Sequence, residues 1–594
     1  MERRLLVVFA LTFLVILLFQ PLLKKYGPQP PAKQESAAEP RSGGQPGAAV
    51  STLVPESGAS LRSAGRTNPT VPTQTSAPVQ AASESETVIE NDVYRIVFTN
   101  RGGRVKSWVL KKYTDDKGGP LELVNTAAAE KYGYPLTLWT YDETLRNKLN
   151  SVLFVGSLPR RPEIDLPVSL PLPDRLAAPA EVLFQYDDGD VSVRKTYTFD
   201  RSSYAIGVQI ALYQKGAQVT AFPLWPAGFG ADTTGPQYAT DQIVYQYDNK
   251  VERLAIKKIS GGATIQGPFH WAGVSDQYFA AVFLPQDPQN AAMVTLRNAV
   301  EIPHGGSDTK QMDKVDVLGA AVGSLKGPTD VRLYVGPKAL SDLESVAVPG
   351  ITGAEPDLRA IIDFGWLGII ARPLFLWLKW MYKHIVPNWG WAILLQTLVI
   401  NLALLPLRLS QMKSMLKMQR VAPQIKSIQE KYKKYSLRDP RKAEMNEEIS
   451  ALYKKEGVNP AGGCLPLLIQ MPFLFAYYRM LNVAMDLRHA PWMWVKDLSA
   501  PDPHYILPIS IVVTMFFMQR LTPQAGMDPA QQKMMNIMMP AMLGLMSFNL
   551  PAGLGLYWAA GQLIGIVQQS VMNRTSLGRE MRAMMEKRAR KKEK

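Results

Sequence analysis

The sequence has almost no side chains that could form disulfides or hold a metal ion. Its 594 residues include one cysteine, Cys464, and five histidines. A single cysteine excludes an intrachain disulfide and any zinc or iron–sulfur site built from several cysteines. No two histidines are four residues apart, as an HExxH zinc helix requires, and no GxxxxGKS/T phosphate loop is present. These absences exclude a disulfide-stapled scaffold, those metal sites and a P-loop nucleotide motor. No other catalytic motif is apparent, and we expect no metal, no cofactor, no catalytic residues and no enzymatic reaction.

Long apolar runs are abundant, and the first begins near the N-terminus. Residues 5–23 are nearly all Leu, Val, Phe and Ile and follow Arg3 and Arg4. At about 1.5 Å per residue, these 19 residues cross most of a ~30 Å hydrocarbon core. A cleaved signal peptide is the alternative, but no Ala-x-Ala site follows the run. We interpret residues 1–26 as a signal-anchor transmembrane helix and the Pro-, Ser- and Gly-rich residues 27–86 as a disordered linker.

Short alternating strands with polar turns follow the linker. Residues 191–199 and 204–213 alternate apolar and polar side chains on either side of a polar turn. The pattern predicts an all-β sandwich domain over residues 87–345. Clustered carboxylates on its loops would favour a carbohydrate enzyme, but the acidic segment 187–190 is better interpreted as a hairpin turn.

The C-terminal half is apolar and predicts a helical membrane domain. In residues 359–384, basic side chains share one helical face, which indicates an amphipathic helix in the membrane interface; an ordinary core helix is the alternative. A five-span core over residues 389–573 is predicted from apolar segments at about 389–407, 463–483, 505–521, 534–550 and 552–573. With the N-terminal helix, the count is six spans.

Basic residues between the apolar segments predict the orientation. Residues 408–460 hold 13 Lys or Arg against 6 Asp or Glu, and residues 574–594 hold 9 against 3. The positive-inside rule places both segments in the cytoplasm. Both termini are then cytoplasmic and the β domain lies outside. The expected fold class is an α-helical polytopic membrane protein of six spans with a large external all-β sandwich.

The segment 408–460 also predicts a cytoplasmic helical hairpin. Two amphipathic helices, over residues 410–435 and 440–456, flank a turn. Methionines on the first helix could adapt to varied apolar partners, and internal packing is the alternative. The candidate hairpin residues are Met412, Met415, Met418, Arg420, Asp439 and Pro440.

Polar side chains inside the apolar segments indicate a substrate groove. Thr397 precedes Asn401 by four residues and Arg408 follows it by seven, so the three share one helical face. A polar residue at membrane depth needs a wet cavity or a partner, so a buried interhelical hydrogen bond is the alternative. Neither acid–base pairs nor internal repeats support an ion-coupled transporter. The candidate groove residues are Thr397, Asn401, Arg408, Gln470, Tyr557 and Trp558; interfacial anchoring is the alternative for the last two.

Several motifs resemble one known family. Residues 459–472, NPAGGCLPLLIQMP, are similar to the third-span signature of the YidC/Oxa/Alb membrane protein insertases. Residues 497–508, 528–533 and 550–558 also resemble that family. The large external domain looks like the super-β-sandwich of its Gram-negative bacterial YidC form.

This resemblance implies an insertase and chaperone of the bacterial inner membrane, with a periplasmic β domain. It implies action alone or with the Sec translocon, without nucleotide hydrolysis, through a hydrophilic groove open to the cytoplasm and to lipid. The implied partners are nascent membrane proteins, the Sec translocon and its accessory complex, the ribosome, the signal recognition particle receptor and the lipid bilayer. The candidate ribosome-binding residues in the basic cytoplasmic tail, 574–594, are Arg588, Arg590, Lys591 and Lys592.

One position departs from the family pattern. In this family, the groove arginine lies five residues before a proline. The corresponding proline here is Pro406, and the residue five positions before it is Asn401. Arg408 lies two helical turns further on, about 10 Å along the axis and within about 20° of the same face. We hypothesise that the groove's positive charge is displaced to Arg408. The alternative is an arginine that ends the span and reaches lipid phosphate.

Overall fold

The described part of the chain forms a β domain and a helical domain. The computed structural model describes residues 78–115, 118–159, 170–230, 241–303, 312–351, 357–435, 439–458, 465–521, 534–576, 578–580 and 583. The predicted signal-anchor helix and residues 27–77 of the predicted linker lie outside these residues.

The β domain is built from short strands and a few short helices. The strands are β1 (Glu86–Glu90), β2 (Tyr94–Thr99), β3 (Arg104–Thr114), β4 (Pro120–Glu122), β5 (Leu138–Trp139), β6 (Val155–Leu158), β7 (Leu170–Pro171), β8 (Arg175–Ala177), β9 (Ala180–Asp187), β10 (Val191–Phe199), β11 (Ala205–Gln214), β12 (Ala217–Gln218), β13 (Phe222–Trp225), β14 (Gln242–Tyr247), β15 (Lys250–Ala255), β16 (Ala263–Gln266), β17 (Ala272–Ser275), β18 (Phe279–Pro285), β19 (Ala291–Pro303), β20 (Met312–Ser324) and β21 (Thr329–Pro337). The helices are α1 (Thr126–Tyr132), α2 (Glu143–Ser151) and α3 (Leu340–Glu344).

These strands form three sheets that share one core. The largest has the order β15-β14-β17-β18-β21-β11-β10-β9-β6-β7, with β12 beside β11. The others have the orders β4-β3-β2-β1-β8 and β16-β19-β20-β13-β5. Trp108 of β3 contacts Trp225 of β13, and Phe98 of β2 stacks on Phe184 of β9, with ring centroids 6.1 and 5.9 Å apart. The prediction of an all-β sandwich is confirmed.

Alternation along β10 places one of its faces in this core. Val193 and Tyr197 are buried, and the strand pairs antiparallel with β9 and β11. The acidic segment 187–190 forms the β9–β10 turn, in which Oδ1 of Asp188 accepts a 2.8 Å hydrogen bond from the N–H of Val191. The interpretation of this segment as a hairpin turn is confirmed.

The β domain begins before the predicted end of the linker. The N–H of Ser85 donates to Oδ1 of Asn100, and Nδ2 of Asn100 donates to the carbonyl of Ser83, both at 2.9 Å. Val79 also pairs with Asp187. Residues 78–86 therefore pack on the β domain, because one asparagine side chain provides hydrogen bonds that composition does not reveal.

The helical domain follows a 3₁₀ turn at Leu358–Ile361. Its helices are α4 (Gly368–His384), α5 (Trp389–Ala403), α6 (Leu405–Lys431), α7 (Arg441–Lys455), α8 (Leu465–Val483), α9 (Ile506–Leu521), α10 (Met539–Ser547) and α11 (Ala552–Arg574). A π-helical turn, Met534–Met538, precedes α10. Among the described helices, none taken alone has both the length and the hydropathy of a membrane span, whereas α5 and α6 reach them only as a pair bent by 47°.

The bend between α5 and α6 divides the predicted segment 389–407 into two helices. Pro406 lies in the first turn of α6, where its missing N–H breaks no helical hydrogen bond. A proline cannot continue the preceding helix without losing such a bond, so α5 ends at Ala403. At the other end of α5, the side chain of Asn388 accepts a 3.2 Å hydrogen bond from the N–H of Trp391.

The helices α6 and α7 pack together as the predicted hairpin. Val421 and Ile425 on α6 share a buried cluster with Met445 and Ile449 on α7. The turn residues 436–438 lie outside the described residues. The apolar stripes predicted from helical spacing are therefore the surfaces that join the two helices.

The two domains share a packed junction. Val483, the last residue of α8, and Met485 are buried in the core of the β domain. Beside them, Nε2 of Gln277, between β17 and β18, donates a 2.9 Å hydrogen bond to the carbonyl of Asn482. Residues from the helical domain therefore complete the β-domain core.

Candidate functional site

Arg408 lies where α5, α6 and α11 meet. It is in the first turn of α6, and its side chain is half-buried. Its Nη1 donates a 2.7 Å hydrogen bond to Oε1 of Gln568 on α11. Its Nη2 donates a 2.9 Å hydrogen bond to Oδ1 of Asn401 on α5. The guanidinium therefore joins three helices through neutral amide oxygens.

Further hydrogen bonds fix the two amide groups. Nδ2 of Asn401 donates to the carbonyl of Thr397 at 2.8 Å, and Nε2 of Gln568 donates to the carbonyl of Asn401 at 3.2 Å. Because each amide nitrogen is held by a carbonyl, each amide oxygen faces the guanidinium. We call Thr397, Asn401, Arg408 and Gln568 the Arg408 site.

The Arg408 site holds a positive charge with neutral partners. Within the described ranges, no Asp or Glu forms an ion pair with Arg408. A guanidinium has five N–H donors, and these two hydrogen bonds use two of them. A charge away from bulk water attracts an opposite charge more strongly than in water. The site is therefore suited to bind a carboxylate.

The structure brings together three of the predicted groove residues. Thr397 and Asn401 are buried, with exposed fractions of 0% and 7%, so Arg408 is the member of this trio that reaches accessible surface. The bend means that the three do not lie on one straight helix, and the long stem of Arg408 spans the break. Asn401 is a buried asparagine with an interhelical hydrogen bond, as the alternative interpretation expects. Its partner in that hydrogen bond is Arg408.

Tyr557 lies inside the helix packing. It stacks on Tyr477 of α8 with ring centroids 4.0 Å apart, and the Tyr477 hydroxyl donates a 2.9 Å hydrogen bond to Oε1 of Gln396. Trp558 is half-buried and packs against the same helical core. An interfacial anchor would lie at the surface, so that alternative does not describe Tyr557.

Two of the hairpin methionines take part in internal packing. Met412 packs with Leu416 and with Met572 of α11, and Met418 packs against the α6–α7 cluster. The internal-packing alternative therefore accounts for these two side chains. The side chains of Met415 and Gln470 lie outside the described residues, as do all of Arg588, Arg590, Lys591 and Lys592.

The polar hairpin candidates form local contacts. Arg420 forms an ion pair with Glu580, just beyond α11. Arg441 donates to both carboxylate oxygens of Asp439, at 3.0 and 2.9 Å, and this lowers the pKa of Asp439. Pro440 directly precedes α7. These contacts order the start of α7 and join the hairpin to the end of α11.

Neither Gln568, a member of the Arg408 site, nor Tyr477, which stacks on Tyr557, was among the candidate groove residues. The pair Gln568-Gln569 in an otherwise apolar helix was an available signal for the first. Tyr477 carries no such signal, because its role depends on which helix lies opposite. In the described part of the chain, no group of three or more His, Cys, Asp or Glu side chains could hold a metal ion.

Two family models match the chain. The model of the 60Kd inner membrane protein matches residues 380–579, and the model of the YidC periplasmic domain matches residues 86–377. The first contains the Arg408 site and the second contains the three sheets. Together they define an inner-membrane protein with a periplasmic β domain.

Curated relatives match along nearly the whole chain. The membrane protein insertase YidC of Cupriavidus necator is 32% identical over 94% of this chain and 94% of its own length. That of Syntrophus aciditrophicus is 31% identical over 97% of this chain and 100% of its own length. That of Geobacter metallireducens is 31% identical over 97% of this chain and 99% of its own length. The chain belongs to the YidC family of membrane protein insertases.

Proposed function

We propose that this protein inserts nascent membrane proteins into the bacterial inner membrane and helps them fold, using the Arg408 site as the cation of a hydrophilic groove. Membership of the insertase family supports the activity. The observation that carries the site is the Arg408 guanidinium, which is held inward by Asn401 and Gln568 without a carboxylate partner among the described residues.

The groove lowers the cost of moving a polar tail across the membrane. A charged side chain at the bilayer centre costs about 2.5–3.5 kcal/mol on insertion scales. A hydrated groove that leads to Arg408 reduces this cost for a tail that carries Asp or Glu. Burial of the substrate's apolar segment in lipid then drives insertion, so no nucleotide is hydrolysed.

Trp558 lies on α11, the helix that also carries Gln568, and its half-buried ring offers apolar surface to a passing segment. Tyr557 is buried against Tyr477 and supports this wall of the groove from inside. Gln470, on α8, adds polarity to the same groove. The groove opens to the cytoplasm and to lipid and is closed towards the periplasm.

The proposed topology has six spans with both termini in the cytoplasm. The net charges of +7 in residues 408–460 and +6 in residues 574–594 support it. The hairpin and the basic tail then face the ribosome and the signal recognition particle receptor. The protein works alone or beside the Sec translocon and its accessory complex.

Substitution of Arg408 tests this function. Arg408→Ala removes the cation, so insertion of a substrate with an acidic translocated tail should fall about fivefold, the effect of roughly 1 kcal/mol. Insertion of the same substrate with a neutral tail should stay within about twofold. Adding Asn401→Arg to the Arg408→Ala variant should restore insertion of the acidic-tailed substrate. The measurement is protease protection of the translocated tail in membrane vesicles.

Lys413→Ala is the matched control, because Lys413 is an exposed cation five residues further along α6. It should insert both substrates as the unmodified protein does. Equal insertion of the acidic-tailed substrate by Arg408→Ala and the unmodified protein would show that Arg408 is not the groove cation.

A further inference from the structure

A glycine on α11 lies directly beside the Arg408 guanidinium. A Cβ added to Gly565 would stand 2.9 Å from Nη1 of Arg408 and 2.5 Å from Cε of Met518. Both distances are too short for a real Cβ, so any other residue at 565 displaces the ends of both side chains. Glycine costs about 1 kcal/mol relative to alanine in a helix interior, so helix propensity does not favour it here.

Gln568 lies three residues after Gly565 and therefore on the same face of α11. Gly565 provides the space for the guanidinium, and Gln568 provides the acceptor at 2.7 Å. One turn before Gly565, a Cβ on Gly561 would come no closer than 3.9 Å to Asn401 or Thr397. The close approach is therefore specific to the level of Arg408.

We propose that Gly565 and Gln568 are positioning residues that turn the Arg408 guanidinium inward and so set the depth of the groove cation. This inference rests on the proposed function. An arginine near a helix end can extend its stem either way along the surface. Here α11 removes the steric obstacle on one side and supplies an oriented oxygen there. The depth of the charge is thus set by α11, although the charge itself belongs to α6.

A purely structural role for Gln568 makes a different prediction. If Gln568 only ties α11 to α5 and α6, then Gln568→Glu keeps or strengthens the tie, because a carboxylate pairs with a guanidinium more strongly than an amide does. If Gln568 positions a cation for the substrate, the same change neutralises that cation. The two roles therefore differ in how insertion depends on substrate charge.

The readout is the insertion ratio, defined as the insertion of an acidic-tailed substrate divided by that of the neutral-tailed version. It is measured with the full-length protein in membrane vesicles. We expect Gln568→Glu and Gly565→Ala each to lower this ratio by about threefold to fivefold, which does not exceed the fall expected when Arg408→Ala removes the cation. Gly561→Ala, the matched control on the same helix, should leave it within about twofold.

Double variants assign the effect to Arg408. In an Arg408→Ala background, Gly565→Ala should not change the ratio further, because the cation it acts on is absent. The insertion ratio of the double variant Gly565→Ala, Met518→Ala should remain low, because the second substitution relieves only the contact with Met518. A ratio restored by Met518→Ala would assign the effect to packing and overturn the role of Gly565.

The outcomes separate this inference from the proposed function. If Arg408→Ala lowers the ratio while Gln568→Glu and Gly565→Ala keep the unmodified value, the positioning roles are refuted and the groove cation stands. If Arg408→Ala also keeps the insertion ratio of the unmodified protein, the positioning roles and the proposed groove cation are both refuted. Should Gly565→Ala not accumulate in the membrane, Gln568→Glu decides the outcome, because it retains a hydrogen-bonding group of the same size at residue 568.

Discussion

Lys195 is a cation enclosed within the β domain. It is fully buried at a core position of β10, between Val193 and Tyr197 on the same strand face. Its Nζ donates to three backbone carbonyls, of Gly102, Gly103 and Leu136, at 2.6, 3.3 and 3.0 Å. Burial lowers the pKa of Lys195 to about 7. The alternation of β10 therefore includes a lysine where an apolar side chain is expected.

The low pKa of Lys195 predicts a pH dependence of stability. Between pH 7 and about 10, the unfolded chain holds a proton on Lys195 that the folded chain has lost, so stability rises with pH. The gain is at most about 1.4 kcal/mol per pH unit, and the three carbonyls reduce it by favouring the charged form. Lys195→Met should make this rise shallower and leave the part that Lys338 contributes, because burial also lowers the pKa of Lys338, to about 8. The measurement is thermal unfolding of the β domain in the full chain at pH 6 to 9.

Lys314→Met, which replaces an exposed lysine on β20, is the control and should keep the slope of the unmodified protein. Burial raises the pKa of Asp241 and Asp276, and this makes stability fall as pH rises. Both carboxyl groups are present in the unmodified protein and in the two variants, so they do not affect the comparison. Parallel pH profiles for Lys195→Met and the unmodified protein would refute the prediction.

At the scale of single residues, the sequence predicted contacts within one chain segment better than contacts across helices. The seven-residue spacing placed Asn401 and Arg408 on one face of a single helix, and their hydrogen bond forms instead across the bend between α5 and α6. Gln568 and Gly565 lie about 160 residues further along, and only packing brings α11 beside α6. A glycine that admits a guanidinium has no sequence signal, because many glycines occur in apolar helices.

Among the helical elements, the α6–α7 hairpin has a compact interior of its own. Ile449 on α7 is fully buried against the α6 side chains of that cluster. Ile449→Ala should create a cavity that costs about 2–5 kcal/mol of local stability. Hydrogen exchange of amides in residues 421–458 should then accelerate by at least about tenfold. Glu447→Ala, at an exposed position of α7, is the matched control.

Unchanged exchange in Ile449→Ala would mean that the hairpin opens only with the rest of the helical domain. This element was predicted well, because helical spacing of apolar residues is a local property. The bend at Leu404 was not predicted, because a hydropathy window averages over the backbone effect of Pro406. The π-helical turn before α10 was missed for the same reason, since hydropathy does not record backbone hydrogen bonding.

On the scale of the whole molecule, the positive charge is concentrated in two segments. Residues 408–460 and 574–594 account for 13 of the 15 net charges. Truncation after Asn573 should therefore weaken co-sedimentation with ribosomes, and rising salt should weaken binding of the full chain, because binding to a polyanion releases counterions. Replacement of Arg588, Arg590, Lys591 and Lys592 by Gln should reproduce much of the loss. Ribosome binding that does not change with salt, or does not change on truncation, would contradict a role of the tail in binding ribosomes.

The domain composition was predicted from sequence, whereas the junction between the domains was not. Alternation indicated the β domain and apolar runs indicated the helical domain, because each pattern is local. The burial of Val483 and Met485 in the β-domain core joins residues far apart in sequence, and nothing in their own neighbourhood predicts it.

That junction has a consequence for the order in which the protein matures on the ribosome. The strands of the β domain end at Pro337, but Met485 is synthesised about 150 residues later. At roughly 5–20 residues per second, this interval lasts about 7–30 s. During it, the apolar surface that receives Val483 and Met485 remains uncovered. The β domain is therefore complete only after the polypeptide of α8 has been made, so its final folding step waits for the chain's own helical domain.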